Sequence, residues 1–366
     1  MAGGRSVSDG RHIEGAVLNP FVAFGEPLPR AVRIAGAGLA GLVAATVLAG
    51  HGRSVEVFEK KSRLLPSSGA HTEGVRNYRS VDVLQELRGF GFTMEPIATV
   101  QTTVRHSPNF VNVLHGPAYY LFMRGRDADT VDQTLYRQAM SARVRFHFGK
   151  VLDPSEADIV AMGPPRTRAN ILGAGYTFSA KGSPLGADTV HALLDNEVAP
   201  GGYLVLTPGR PFHSIYSVSW SELRFEPLLE RTEAAFEIPW VKELLGASER
   251  VGKIHGSAYF TPNPYLEAVQ GGALYVGEAG GFQDAVAGFG FRYAVITGSL
   301  AARAILEGQE YRGLLKSVFG DEFHHAQVFR EKLQHATNAD YDKMIASLGP
   351  ELTLSEYVQK RDPRGF

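Results

Sequence analysis

One stretch near the N-terminus constrains this chain more than any other. Ala31-Val32-Arg33-Ile34-Ala35 reads as a short buried strand, and Gly36-Ala37-Gly38-Leu39-Ala40-Gly41 as a tight turn into an apolar helix reaching about Leu48, with His51-Gly52 marking its end. Ser54 to Glu59 then alternates as a second strand. Strand, glycine turn, helix and strand within about 30 residues make the βαβ unit of a parallel sheet. Gly36 permits the tight turn, Gly38 leaves bare backbone where a pyrophosphate approaches, and Gly41 lets helix and strand pack closely. The exposed amides and the helix dipole at that terminus attract phosphate charge. Glu59 lies about 18 residues beyond Gly41, where a carboxylate accepts both ribose hydroxyls and repels a 2′-phosphate. The dinucleotide expected is therefore FAD or NAD rather than NADP.

Composition removes several other classes. The chain has 366 residues, 44% of them hydrophobic, which is enough for two domains or one large domain with an insertion. Lys plus Arg number 37 against 38 Asp plus Glu, so no footprint for nucleic acid or an anionic membrane follows. There is no cysteine, which excludes disulfides, Cys-ligated zinc, Fe–S clusters and a thiol nucleophile. No segment reaches the roughly 18 uninterrupted apolar residues of a transmembrane helix; Ala31 to Ala49 comes nearest, and Arg33 and several glycines interrupt it. Residues 1 to 30 lack the apolar core of a secretory signal, so a cytoplasmic protein is expected, with peripheral membrane contact left open.

Along the chain, Pro66 to Tyr78 reads as a Ser-, Gly- and His-rich loop, Asp82 to Leu87 as a short helix, and Thr99 to Val104 and Ala118 to Met123 as β-rich runs. Thr130 to Arg143 has helical periodicity, and Val144 to Phe148 and Ala157 to Ala161 are strand candidates. Tyr203 to Leu206 and Ser214 to Val218 belong to a β-rich stretch interrupted by a helix between Leu228 and Phe236. Ala273 to Val276 reads as a strand, followed by a glycine-dense turn, a helix from about Phe291 to Leu306 and amphipathic helices beyond residue 311. The expected architecture is α/β: a discontinuous Rossmann-like dinucleotide domain (31–98, 119–165 and 270–308), an inserted β-rich substrate domain (99–118 and 166–269), an N-terminal extension (1–30) and a C-terminal helical segment (309–366).

The glycine-dense turn is Gly277-Glu278-Ala279-Gly280-Gly281-Phe282-Gln283-Asp284-Ala285-Val286-Ala287-Gly288-Phe289-Gly290, with Tyr293, Ala294 and Gly298 on the helix that leaves it. It resembles the late flavin motif of the FAD-dependent oxidoreductases that include p-hydroxybenzoate hydroxylase and the geranylgeranyl reductases. Arg124 followed by Val131-Asp132 and Leu135 is similar to the family's arginine-then-helix segment along FAD, and Asp158 to Gly163 looks like its acidic-strand-ATG segment. Pro200-Gly201-Gly202-Tyr203-Leu204-Val205-Leu206-Thr207-Pro208 is similar to the Y-x-W-x-F-P stretch of geranylgeranyl reductases. The resemblance implies FAD bound by Gly36, Ala37, Gly38, Leu39, Ala40, Gly41, Glu59, Lys60, Arg124, Gly163, Gly277, Glu278, Asp284, Gly288, Phe289 and Gly290, with NAD(P)H as a transient donor. The chain departs from the family pattern in several places. Glu278 stands for the usual Asp, Ala285 for a proline, and Val205 and Thr207 for Trp and Phe. Ser67-Ser68-Gly69-Ala70-His71 stands where prenyl reductases carry cysteine, and the halogenase W-x-W-x-I-P motif is missing.

The residues that would handle protons are less defined. His71 and Tyr203 are weak candidates for a catalytic or pocket role, and Arg76 and Arg79 for holding a substrate carboxylate or phosphate, each against an ordinary surface or core role. Tyr216, Trp220, Phe225 and Tyr259 suggest an apolar or aromatic small-molecule substrate, or simply a core. His324-His325 has no partner at metal spacing, so no metal is expected, and the charges of the C-terminal helices read as a solvated face. Three readings stay open: a monooxygenase or related FAD oxidoreductase, a geranylgeranyl reductase-like C=C reductase, and a non-catalytic prenyl or dinucleotide carrier.

Overall fold

A computed structural model describes residues 30–64, 71–165 and 167–361. In chain order the elements begin with β1 (Val32–Ala35), α1 (Leu39–Gly50), β2 (Val55–Glu59), β3 (His71–Arg76), α2 (Val83–Gly89), β4 (Ala98–His106), β5 (Val111–Arg124), α3 (Val131–Ser141), β6 (Arg145–Phe148) and β7 (Ile159–Val160). They continue with β8 (Ile171–Ser179), β9 (Thr189–Leu193), β10 (Tyr203–Thr207), β11 (Phe212–Ser219), α4 (Phe225–Ala234), α5 (Pro239–Leu245), β12 (Arg250–Ala258), α6 (Pro264–Glu267), β13 (Val269–Gln270) and β14 (Ala273–Tyr275). The chain closes with α7 (Phe291–Glu307), α8 (Tyr311–Phe319), α9 (Glu322–Gln334), α10 (Asn338–Ser347), β15 (Glu351–Thr353) and α11 (Leu354–Arg361).

The strands form two sheets. The first runs β13-β14-β7-β1-β2-β6, parallel except where β13 meets β14. Its inner strands bury Val32, Ile34, Val55 and Val57 on the face covered by helices, while the other face carries Arg33, Glu56 and Phe58 and packs against Leu152 and Ala157. Buried α1 lies between this sheet and α7, and the two helices meet at bare backbone, since a Cβ on Gly298 would stand 2.5 Å from the Ala40 carbonyl oxygen. Leu42 and Leu48 are fully buried there, and truncating either to Ala costs about 2–5 kcal/mol.

The second sheet has nine strands in the order β12-β8-β11-β10-β9-β4-β5-β15, with β3 also paired to β5. One face packs on α4 and α5 through Leu172, Tyr176, Leu204, Ile215 and Leu228. The other faces α9 and α10 across a cavity described below. The domain boundaries expected near residues 98 and 118 fall at the start of β4 and inside β5, which runs unbroken to Arg124 in this sheet.

Two expectations are corrected. The described part of the segment read as a loop, from His71, is strand β3, antiparallel to β5 from His71 opposite Arg124 to Arg76 opposite Tyr119. It lacks apolar alternation because Val75 is the one residue of the strand that enters the hydrophobic core, the others being half-buried. The C-terminal helices are not simply a solvated face either. Glu322 is half-buried in a network with Arg292, Arg79 and Tyr293, and Arg330 is 3% exposed. Ser67 to Ala70 lie outside the described residues.

Candidate functional site

Two cavities flank β3. The first, about 470 Å³, opens where the turn after β1 faces the entry to α7. Its walls include Gly36, Gly38, Leu39 and Ala40 from the first glycine segment, and Gly277, Glu278 and Gly290 from the second. The glycines divide their work. A Cβ on Gly36 would stand 2.4 Å from the Ala161 carbonyl oxygen, and one on Gly41 2.2 Å from that of Gly36. Both are therefore required by packing. Gly38 has nothing nearer than 3.8 Å, so its bareness serves the cavity rather than the fold.

Glu59, Lys60, Arg124 and Gly163 also line this cavity. The Glu59 carboxylate accepts the amides of Ala37 at 3.0 Å and Lys61 at 2.9 Å, which fixes it at the end of β2. Arg124 is forked onto buried Asp132 at 2.6 and 2.7 Å and also bonded to Glu73. Burial works against its charge, but the two carboxylates outweigh that and hold its pKa above the ordinary arginine value. Glu278 is the least satisfied group: its Oε2 is buried with no hydrogen-bond partner. Burial, with Glu73 adding repulsion, pushes its pKa up to about 8. Helix α7 starts at Gly290 with no side-chain cap and no acid in its first turn, so its amides and positive dipole end face the same space.

Other residues of the second glycine segment lie elsewhere. Asp284 is absent from this wall; its Oδ1 accepts the amides of Val286 at 2.8 Å and Ala287 at 3.2 Å, and its Oδ2 pairs with Arg76 at 2.8 Å. Gly288 faces Val218 and Trp220. The Phe289 ring faces the second cavity and stacks on Tyr119 with centroids 5.6 Å apart, while its neighbour Gly290 lines the first. Ala37 is buried, and neither it nor Gly41 is among the lining residues. Glu73, Lys61, Lys150 and Met162 line the cavity without having been singled out in the sequence; Lys61 and Lys150 sit just past strand ends, the only signal that pointed to them.

The second cavity, about 280 Å³, lies between the nine-stranded sheet and α9 and α10. Alternate residues Tyr203, Val205 and Thr207 of β10 face it, as do Leu121, Val190 and Tyr216. Tyr203 donates its hydroxyl to the Ala287 carbonyl at 2.5 Å, and burial raises its pKa, so it holds its proton. His71 lines neither cavity. A third cavity of about 220 Å³ adjoins the second, sharing Arg76, Tyr78, Val286, Phe289 and Phe329. Arg76 and Arg79 are both neutralised there, by Asp284 at 2.8 Å and Glu322 at 2.9 Å.

Strand β3 is the partition. Thr72, Gly74 and Arg76 face the second cavity and Glu73 the first. Gly74 is bare because a Cβ there would meet the Phe289 ring at 2.9 Å. Of the remaining aromatics, Trp220 lies under the Arg330 guanidinium at 4.2 Å, Phe225 against His255 at 4.2 Å, and Tyr259 under Arg168 at 4.4 Å. His324 and His325 sit side by side on α9 with ring centroids 6.0 Å apart.

Residues 34–82 match the model of an NAD(P)-binding Rossmann-like domain. No curated protein matches the sequence. Among solved structures, a geranylgeranyl bacteriochlorophyll reductase-like protein from Thermoplasma acidophilum superposes with a TM-score of 0.71 at 17% identity, covering 91% of this chain and 96% of that one. A flavin-dependent brominase superposes at 0.59 and 15% identity (87% and 93% covered), and a flavoprotein/dehydrogenase from Cytophaga hutchinsonii at 0.56 and 15% (90% and 93%). The chain shares the fold of these proteins: a parallel sheet with a Rossmann-like start joined to a larger β sheet and closed by C-terminal helices. Among the described residues no helix is long and apolar enough to cross a membrane.

Proposed function

We propose that this chain is an FAD-dependent oxidoreductase acting on an apolar or aromatic small molecule, with the dinucleotide in the cavity before β3 and the substrate in the cavity behind it. The supporting observation is Glu278, whose buried Oε2 has no partner in a cavity that also presents bare glycine backbone and a helix N-terminus. An unmet carboxyl oxygen of this kind, able to donate or accept, suits a polyhydroxyl chain, and the extra methylene relative to Asp still reaches the cavity. Gly38 and the start of α1 would meet the pyrophosphate, Glu59 the ribose hydroxyls, and Gly277 and Gly290 the ring end.

FAD, when bound, supplies the two-electron chemistry. The chain's own residues orient and exclude water. The amides at the start of α7 favour negative charge at the nearby edge of the ring. Arg124, pinned by Asp132 and Glu73, keeps a fixed positive charge on the wall, and β3 sets the spacing between the two chambers. Glu59 disfavours NADP as resident, and NAD(P)H would act only as a passing donor. Insertion of oxygen into the substrate is the leading chemistry. Saturation of an isoprenoid C=C bond is the second reading, favoured by the TM-score of 0.71 to the reductase-like protein and by the apolar second cavity.

Purified protein should be yellow, release FAD rather than FMN on denaturation, and bleach with dithionite under anaerobic conditions. Colourless protein that cannot be reconstituted with FAD would leave a carrier reading instead. Oxygen uptake with NAD(P)H across aromatic and isoprenoid compounds separates the two chemistries: stoichiometric uptake marks the first, and anaerobic turnover the second.

A further inference from the structure

The second cavity is apolar over most of its surface but carries two arginines, Arg105 and Arg330, that no carboxylate among the described residues pairs with. Arg105, on β4, is 9% exposed and lines it. Its guanidinium is held from two sides: Nε and Nη2 donate to Asn112 Oδ1 at 3.0 and 2.5 Å, and the group lies 4.4 Å over the Tyr357 ring. Asn112 is itself fully buried and donates Nδ2 to the Gly349 carbonyl at 2.6 Å. The position opposite Arg105 across the β4–β5 ladder thus carries an amide rather than a carboxylate. The amide orients the guanidinium as a carboxylate would and leaves its charge intact. On another wall Arg330 repeats the theme, 3% exposed, bonded to the Gly201 carbonyl, with Nε unpartnered. Burial lowers its pKa to about 10. Neither arginine makes an ion pair among the described residues, whereas Arg76, shared with the neighbouring cavity, and Arg79 of that cavity both do.

A buried, uncompensated cation is costly, and ordinary cores avoid it. Here two face one cavity, which has no acidic lining residue among the described residues. We propose that this cavity takes an amphipathic anion whose carboxylate or phosphate head is held by Arg105, with an apolar body lying along Leu121, Val190, Val205 and Tyr216 towards Phe289. The inference rests on the flavin reading only in calling this molecule the substrate; the binding preference itself does not depend on it.

Calorimetric titration of the full-length protein with decanoate, decyl phosphate and uncharged decanol tests it. One or both anions should bind about tenfold or more tightly than decanol, the ratio expected of a charge-assisted hydrogen bond, and the tighter of the two names the head group. Arg105→Gln should remove that preference and leave decanol affinity unchanged, and Arg105→Met serves as a second variant should the first fail to fold. Equal binding of all three compounds by the wild-type protein overturns the proposal, as does a preference that persists in the variants. FAD content, read from visible absorbance in the same samples, keeps the two claims apart. Protein that holds FAD but shows no anion preference sinks this inference and spares the flavin reading; anion preference without FAD does the reverse.

Discussion

The two cavities on either side of β3 are built by opposite means. The first sets bare backbone, glycines at 36, 38, 277 and 290 and a bare helix end, among charged side chains such as Glu59, Lys60 and Arg124 and one unsatisfied carboxyl. The second is made of side chains, tyrosines and aliphatics from a sheet face and two helices, with Arg105 and Arg330 making no ion pair among the described residues. Backbone recognition demands local sequence, because only glycine permits the approach. Side-chain recognition spreads over distant strands and tolerates many sequences. The difference teaches where a constraint on ligand identity is stored: locally for the dinucleotide, across the whole fold for the second molecule.

The largest effects come from separating glycines that hold the fold from those that serve the cavity. Gly41→Ala forces a Cβ to within 2.2 Å of a backbone oxygen and should cost about 3 kcal/mol or more in thermal or urea unfolding. Gly38→Val, with 3.8 Å of room, should cost only about 1 kcal/mol for a poorer N-cap yet lose FAD entirely. A Gly38→Val protein that stays yellow would collapse the distinction.

A second contrast lies in pH. Glu278 has its folded-state pKa raised to about 8, so it holds a proton that the unfolded chain releases above about 4.5. Its contribution is present at low pH and is lost as pH rises from about 4.5 to 8. FAD-free Glu278→Gln should therefore unfold with a flatter pH dependence than wild type over that window, and an unchanged slope would remove Glu278 from the account.

The β sheet behaves in reverse, with a smaller effect. His106 and His191, on β4 and β9, face each other ring to ring with nitrogens 3.2 Å apart, and His106 stacks on Trp240 of α5 at 4.1 Å. Burial lowers both imidazoles to about 4, and His191 adds to the effect on His106. The unfolded chain then binds more protons between about 6.5 and 4, so this contribution is present above 6.5 and lost as pH falls. His106→Leu should lessen the acid sensitivity seen by circular dichroism, leaving the alkaline side unchanged.

How much of this the sequence carried follows the same division. The βαβ unit, the strand at 273–275 and helix α7 were legible because apolar periodicity and glycine spacing act over a few residues. The lining roles of Gly36, Gly38, Glu59, Lys60, Arg124, Glu278 and Gly290 could be anticipated for that reason. Asp284, Gly288 and Phe289 stand in the same motif but turn away, since the chain reverses there and Asp284 is consumed in building the turn. Strand β3 was illegible because its neighbours on both faces come from remote segments. Arg105 was equally hidden, for nothing local tells that residue 112 opposite it supplies an amide.

That strand carries a further liability. Thr72, Gly74 and Arg76 face one chamber and Glu73 the other, so inserting or deleting a single residue near His71 would turn each of them to the wrong side. Glu73 would then enter the greasy compartment, and Arg124 would lose one of its two counter-ions. Lineages carrying this architecture should accept substitutions along the segment far more readily than changes in its length.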